Sequence, residues 1–394
     1  MKNYNLSKEE LQEIALKQNK SIEEVEKDYK YALKDLEYTN KEINSIIDNF
    51  NYTRFPNTIH INEYGKKDEL NTKYLCCDNL EIFNEIKPED LAIVTGFGPT
   101  NSPTAGTLSA IFRVLELQKE TGIYTHIIIS ELSALNSRQK PFDELLKNTY
   151  QFITFIKKLG FDESNGEIRT HNYLDHSRTF SIISSVLKIE DFLEHSEATD
   201  DMYKRLNLLG NDYSTMVSQV YTTADIVLPV IRDKKKGVIV PAGLEEHHYP
   251  YLARVVIERM KNKKGGVNDL VKHNPEVGAV YGKLISGFFP YVKMSKSIKE
   301  SSINLGDSKE ELYNKIINCG KRNEEVILQM MLLASNWDAE KIKSAKEAYQ
   351  NLSLNYENWK KLKIDYYKFF LKIKELWDES LHEEAIDTYE GLFC

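Results

Sequence analysis

The sequence lacks any long apolar run. Across 394 residues no stretch approaches 18 consecutive apolar side chains, and the strongest pieces, such as Ile127-Ile128-Ile129, are of strand length. No membrane span is expected. Cysteine is scarce. Cys76, Cys77, Cys319 and Cys394 make no disulfide framework, and the neighbours Cys76 and Cys77 are badly placed to bridge each other. No apolar segment of a secretory signal follows Met1-Lys2-Asn3-Tyr4-Asn5, so a reducing, cytoplasmic setting is expected. Positive charge is not in excess: Lys plus Arg number 52 against 60 Asp plus Glu, a net charge of −8. That excludes a protein basic over its whole surface, but not a local basic tract that meets phosphate. Repeats, low-complexity tracts and glycine-serine linkers are missing. So is any Cys-x-x-Cys or His-x-x-x-His spacing, and no metal site is expected even where His247-His248 adjoin Glu245-Glu246.

What is present is an ordinary soluble composition, 41% apolar and 28% charged, long enough for two or three compact units. The first 50 residues read as helix, with Ser7/Glu10 and Ser21/Glu24 at capping-box spacing and Tyr29, Leu33, Leu36 and Ile43 at helical intervals. Residues 51–90 are mixed. Together, residues 1–90 read as a helical N-terminal extension. From Leu91 strands and helices alternate: a strand 91–95 running into Gly96-Phe97-Gly98-Pro99, a helix from about Leu108 to Thr121, a strand 126–130, a helix 142–158, a strand near 168–171, and a helix near 177–188. Gly237 to Gly243 supplies another strand. This alternation predicts an α/β fold with a Rossmann-like parallel sheet over 91–305, interrupted by a connecting helical region at about 175–215. Ligands of such sheets sit outside the carboxyl ends of the strands, so loops 96–108, 131–136 and 242–247 are expected to face one crevice. Residues 306–394 read as a helical C-terminal domain, opening with a cap at Ser308/Glu311.

The sharpest feature is Lys293-Met294-Ser295-Lys296-Ser297, a string expected by chance roughly once in ten thousand chains of this length. Two lysines three apart among small hydroxyls suit a loop that clamps pyrophosphate oxygens; the plain alternative is a solvated surface loop. A second stretch, Gly96 through Thr107, holds Gly98, Pro99, Thr100 and the run Thr104-Ala105-Gly106-Thr107. There a helix N-terminus and a bare glycine backbone favour a bound anion. Its plain alternative is a capped strand-to-helix turn. Lone His126 and His171 read as packed, hydrogen-bonded side chains rather than catalytic ones. The lysine tracts 234–236 and 261–264 read as solvated faces unless a nucleic acid is the ligand.

The lysine string resembles the signature of class I aminoacyl-tRNA synthetases, and Thr104 to Thr107 resembles their His-x-Gly-His in the threonine-first form of bacterial tryptophanyl enzymes, with Thr107 a departure. Val240 to His247 followed by Leu252-Ala253-Arg254, Thr222 to Ile226, and Ser130 to Asn136 are similar to further stretches of the tryptophanyl and tyrosyl group, in the right order over about 91–310. The resemblance implies roles. Lys293, Lys296, Thr104 and Thr107 would be catalytic. Gly98, Pro99, Thr100, Gly106, Gly243, Glu245, Met294, Ser295 and Ser297 would bind ATP. Glu131, Ser133, Ser218, Thr222, Asp225 and Glu246 would bind the amino acid. Ser133, Ser218, Thr222 and Glu246 stand where the group carries histidine, tyrosine and glutamines, while Asp225 keeps the family residue type.

The resemblance further implies an ATP-dependent ligase with Mg²⁺, a homodimer, and tRNA as acceptor, tryptophan being favoured over tyrosine. Two other readings stay open: a paralogue that adenylates another amino acid or serves a non-tRNA acceptor, and a non-catalytic synthetase-like module that binds RNA, nucleotide or protein.

Overall fold

The computed structural model describes residues 7–18, 20–26, 43–55, 73–79, 81–138, 140–171, 174–193, 213–289, 291, 294, 299–354 and 356–381. Seven strands form one sheet: β1 (Thr53–Arg54), β2 (Tyr74–Asp78), β3 (Leu91–Phe97), β4 (Tyr124–Ile129), β5 (Gly166–Thr170), β6 (Gly237–Gly243) and β7 (Glu276–Gly282), in the spatial order β1-β2-β7-β6-β3-β4-β5. The five strands β7, β6, β3, β4 and β5 run parallel, in the register Ala92 opposite Tyr124 and Phe97 opposite Ile129 between β3 and β4. β1 and β2 add an antiparallel edge to β7. The sheet therefore continues into residues that precede Leu91.

Strand order reverses between β3 and β6. The chain passes from β3 outward to β4 and β5 on one side, then returns to β6 and β7 on the other, which leaves a crevice at the carboxyl ends of β3 and β6.

Among the described residues, the helices of eight residues or more are α1 (Lys8–Gln18), α2 (Ala105–Thr121), α3 (Glu131–Arg138), α4 (Phe142–Lys158), α5 (Leu174–Ser184), α6 (Tyr213–Arg232), α7 (His248–Asn262), α8 (Lys309–Ile316), α9 (Glu324–Leu333), α10 (Ala339–Gln350) and α11 (Tyr356–Asp378). Apart from α1, whose Leu11 and Ala15 form a separate small core with Val25, they cover both sheet faces, because the parallel strands are apolar on both sides. Ile93, Ile127, Ile129 and Ile239 point to a core shared with α2, α4 and the C-terminal helices. The alternate residues Val94, Ile128, Val238 and Val240 point to a second core under α5, α6 and α7. Cys76 and Cys77 fall on opposite faces and are free thiols, as the two-residue period of a strand requires.

Several expected bounds shift. α2 begins at Ala105, three residues before the expected Leu108, because Thr104 caps it. The expected loop 131–136 is the start of α3, β5 ends at Thr170, and α5 runs from Leu174 to Ser184 instead of 177–188. Ser21/Glu24 and Ser308/Glu311 form their reciprocal caps. Tyr29, Leu33 and Leu36 lie outside the described residues. No helix among the described residues is long and apolar enough to cross a membrane.

Candidate functional site

The turn from β3 into α2 forms one wall of the crevice. Thr104 takes an extended backbone and its hydroxyl accepts the Thr107 N–H at 3.3 Å, with the Thr107 hydroxyl 3.3 Å from it. The turn is braced from two sides. Ala105 N–H donates to the Ile303 carbonyl and Leu305 N–H to that of Pro103, while the Asn148 amide holds the Pro99 carbonyl at 3.0 Å. Gly98, Pro99 and Thr100 lie in the connecting loop, and Gly106 lies in the first helical turn instead of the loop. A Cβ on Gly106 would meet only the Thr104 hydroxyl, at an ordinary 3.6 Å, so the protein's own packing does not demand glycine there. What the bare backbone leaves is a helix start that an anion can approach.

The opposite wall is the end of β6. Gly243 N–H donates to the Glu246 carboxylate at 3.4 Å, and Glu245 and Glu246 are exposed at the mouth. His247 and His248 are buried behind them. The Tyr52 hydroxyl stands 3.3 Å from His247 Nδ1, and the Phe50 ring meets His247 edge-on. The two histidine rings are 6.3 Å apart at right angles and do not converge on a common point.

The third wall comes from α3, the end of β5 and α6. On α6, Ser218, Thr222 and Asp225 share one face at i, i+4 and i+7. Ser218 faces Ser133 of α3 with the hydroxyl oxygens 2.6 Å apart, and the Thr222 hydroxyl donates to the Ser218 carbonyl at 3.2 Å. Glu131, buried at the start of α3, accepts the His171 N–H on both oxygens, at 3.0 and 3.2 Å. Burial pushes the Glu131 carboxyl above its ordinary value. Asp225 is buried too, which by itself would raise its carboxyl, yet the His171 and His176 rings beside it hold it well below the carboxylate range.

Sequence reasoning had not gathered the residues around Asp225. Arg169 Nη1 lies 3.2 Å from its Oδ1, His176 Nε2 3.1 Å from Oδ1, and His171 Nε2 3.0 Å from Oδ2. The rings of His171, His176 and Tyr221 stack, with centroids 4.7 to 5.4 Å apart. The available signal was Arg169 itself, because a guanidinium within a strand buried on both faces demands a buried acid. His171, Asp225 and His176 are also the one group of three metal-type ligands gathered among the described residues. His126 is packed as expected, with Nδ1 2.8 Å from Glu167.

Met294 packs against the first core. Lys293, Ser295, Lys296 and Ser297 lie outside the described residues. The lysine tracts 234–236 and 261–264 sit at the amino ends of the strands, away from the crevice, since one precedes β6 and the other ends α7 on its return. Lys236 there pairs with Asp90 at 2.8 Å, and Lys263 donates to the Ser185 carbonyl.

A family model described as "tRNA synthetases class I (W and Y)" matches residues 87–378. No curated protein sequence matches the chain. Among solved structures, the chain is similar to the tryptophanyl-tRNA synthetase of the archaeon Aeropyrum pernix, at 17% identity and TM-score 0.66, covering 89% of this chain and 96% of that one. It is similar to the tryptophan-bound enzyme of Encephalitozoon cuniculi at 16% identity and TM-score 0.62, covering 87% and 98%. The enzyme of Giardia lamblia gives 17%, 0.63, 90% and 96%. At these identities the likeness shows a shared fold.

Proposed function

Because the chain belongs to the class I tRNA synthetases of the tryptophan and tyrosine group, we propose that it condenses an amino acid, tryptophan first, with ATP to an aminoacyl-adenylate and passes the acyl group to the 3′ end of a tRNA. The observation that carries this reading is the crevice where strand order reverses, with the Thr104-capped start of α2 on one wall and Gly243 on the other.

In this reading the amino acid's carboxylate oxygen attacks the α-phosphorus of ATP and pyrophosphate leaves. No protein nucleophile is needed; the rate comes from positioning and from neutralising charge on the phosphates. The start of α2, with Gly98, Pro99, Thr100, Gly106 and the hydroxyls of Thr104 and Thr107, receives the phosphates. Lys293 and Lys296 neutralise the leaving pyrophosphate, with Ser295 and Ser297 beside them and Mg²⁺ entering as the counter-ion of ATP. Gly243 and Glu245 lie toward the ribose, and Glu246 pairs with the α-ammonium. The amino acid lies toward Glu131, Ser133, Ser218 and Thr222. Thr104 in the first position of its motif supports tryptophan over tyrosine. The family also supports a homodimer working in the cytoplasm.

The short hydroxyls at 133, 218 and 222 favour a second reading, in which another amino acid is adenylated or the acceptor is not tRNA. ATP–pyrophosphate exchange with each of the twenty amino acids separates the two, since exchange with tryptophan alone excludes an altered substrate. Replacing both Lys293 and Lys296 by alanine should cut exchange by at least about 10²-fold. Unchanged exchange in that double variant would end the catalytic reading.

A further inference from the structure

Three donors converge on Asp225, a side chain only 5% exposed: Arg169 and His176 on Oδ1, and His171 on Oδ2. A carboxylate has about four lone-pair sites, so one remains, inside a buried side chain. The donors are themselves fixed. His171, His176 and Tyr221 stack on one another, and Phe180 lies 4.8 Å from the Tyr221 ring. His171 also gives its backbone N–H to Glu131, so one residue at the end of β5 engages both buried acids of the pocket.

The tautomers follow from the same geometry. Each imidazole presents Nε2 to an acceptor, and each Nδ1 is buried without a partner among the described residues. Each Nε2 therefore carries a proton. A metal ion would need the reverse: lone pairs on both Nε2 atoms and an N–H at each Nδ1, where no acceptor stands among the described residues. The Arg169 guanidinium already occupies Oδ1. The group is a hydrogen-bond cage around a carboxylate, and it fits no ion.

We infer that Asp225 is a positioning residue, caged by Arg169, His171 and His176 to fix helix α6, and that the amino acid is read without a hydrogen bond from its side chain to Asp225. The pocket is then walled by the hydroxyls of Ser133, Ser218 and Thr222, which reorient to donate or accept. It takes aromatic amino acids whether or not the ring carries an N–H. This inference rests on the adenylation reading of the same site.

The test has two independent arms on the full chain. In the first, ¹⁵N-histidine NMR, assigned with His171→Gln and His176→Gln, should show both rings protonated at Nε2, unmoved by zinc or by saturating amino acid. Movement of either Nε2 signal with zinc or with the amino acid overturns the cage. In the second, pyrophosphate exchange is compared for tryptophan and its benzothiophene isostere, which lacks the N–H. The two kcat/KM values should agree within about tenfold, and Asp225→Asn should lower both by the same factor. A preference for tryptophan of 10² or more, lost in Asp225→Asn, overturns the inference, since a site that reads an N–H rejects the analogue by about 10⁴. If another amino acid is the one activated, its own donor-free analogue takes this place, as phenylalanine does for tyrosine. Absence of exchange with any amino acid sinks the adenylation reading alone, and the tautomer measurement then decides the cage.

Discussion

Glu167 illustrates how a single residue sets a pH dependence. Burial alone would raise its carboxyl, but hydrogen bonds from His126 and Arg232 at 2.8 and 2.6 Å bring it from an ordinary 4.5 to about 2. A carboxyl depressed on folding stabilises the protein above its unfolded value and loses that contribution as pH falls through the folded one. Glu167→Gln should therefore be less stable than the parent at pH 7, by up to about 3 kcal/mol, the linkage equivalent of that depression. The gap should close between pH about 4.5 and about 2, read from urea midpoints across that range. The residues around Glu167 were plain in the sequence but their meeting was not. His126 stood out as a packed histidine, whereas its partners come from β5 and the end of α6, joined only when β4 and β5 pair. Asp225 repeats the lesson: its type matched a family pattern, and its cage came from a different strand and helix.

At the scale of elements, β5 depends on an absent side chain. A Cβ on Gly166 would collide with the Thr125 carbonyl oxygen of the neighbouring strand, and with Phe161 and Gln118 behind it. A backbone atom inside a paired ladder cannot step aside cheaply. Gly166→Ala should cost about 1–3 kcal/mol by overpacking, seen as a lower Tm, and should loosen the end of β5 that carries Arg169 and His171. Elements whose signals are local were legible: the strand expected at 91–95, which runs on to Phe97, the helix 142–158 and the caps at Ser21 and Ser308. The early start of α2 was misplaced because Gly106 and Thr107 look like loop residues until the Thr104 hydroxyl is seen to accept the Thr107 N–H. Strands β1 and β2 were missed because β1 has two residues and pairs only with β2, which itself joins the sheet through β7, some 200 residues further on.

Over the whole molecule, the C-terminal helices share a continuous core with one sheet face. Trp377 of α11 packs edge-on against Phe152 and Phe155 of α4, and its carbonyl accepts the Gln151 amide at 2.9 Å. Trp377→Ala should thus lower the stability of the whole chain by about 3–5 kcal/mol. Circular dichroism and intrinsic fluorescence should still report a single shifted transition; two separated transitions would show a tail that folds alone. The sequence by itself determined the alternation of strand and helix, the α/β class, and the motif residues, because hydrophobic period, capping and short strings are written locally along the chain. Only the tertiary structure decided the reversal of strand order that opens the crevice, the placing of the lysine tracts at its far end, and the caging of Asp225. Those depend on which strands pair and which buried charges must then find partners, and contacts between residues some 50 apart in the chain leave no periodic trace in it.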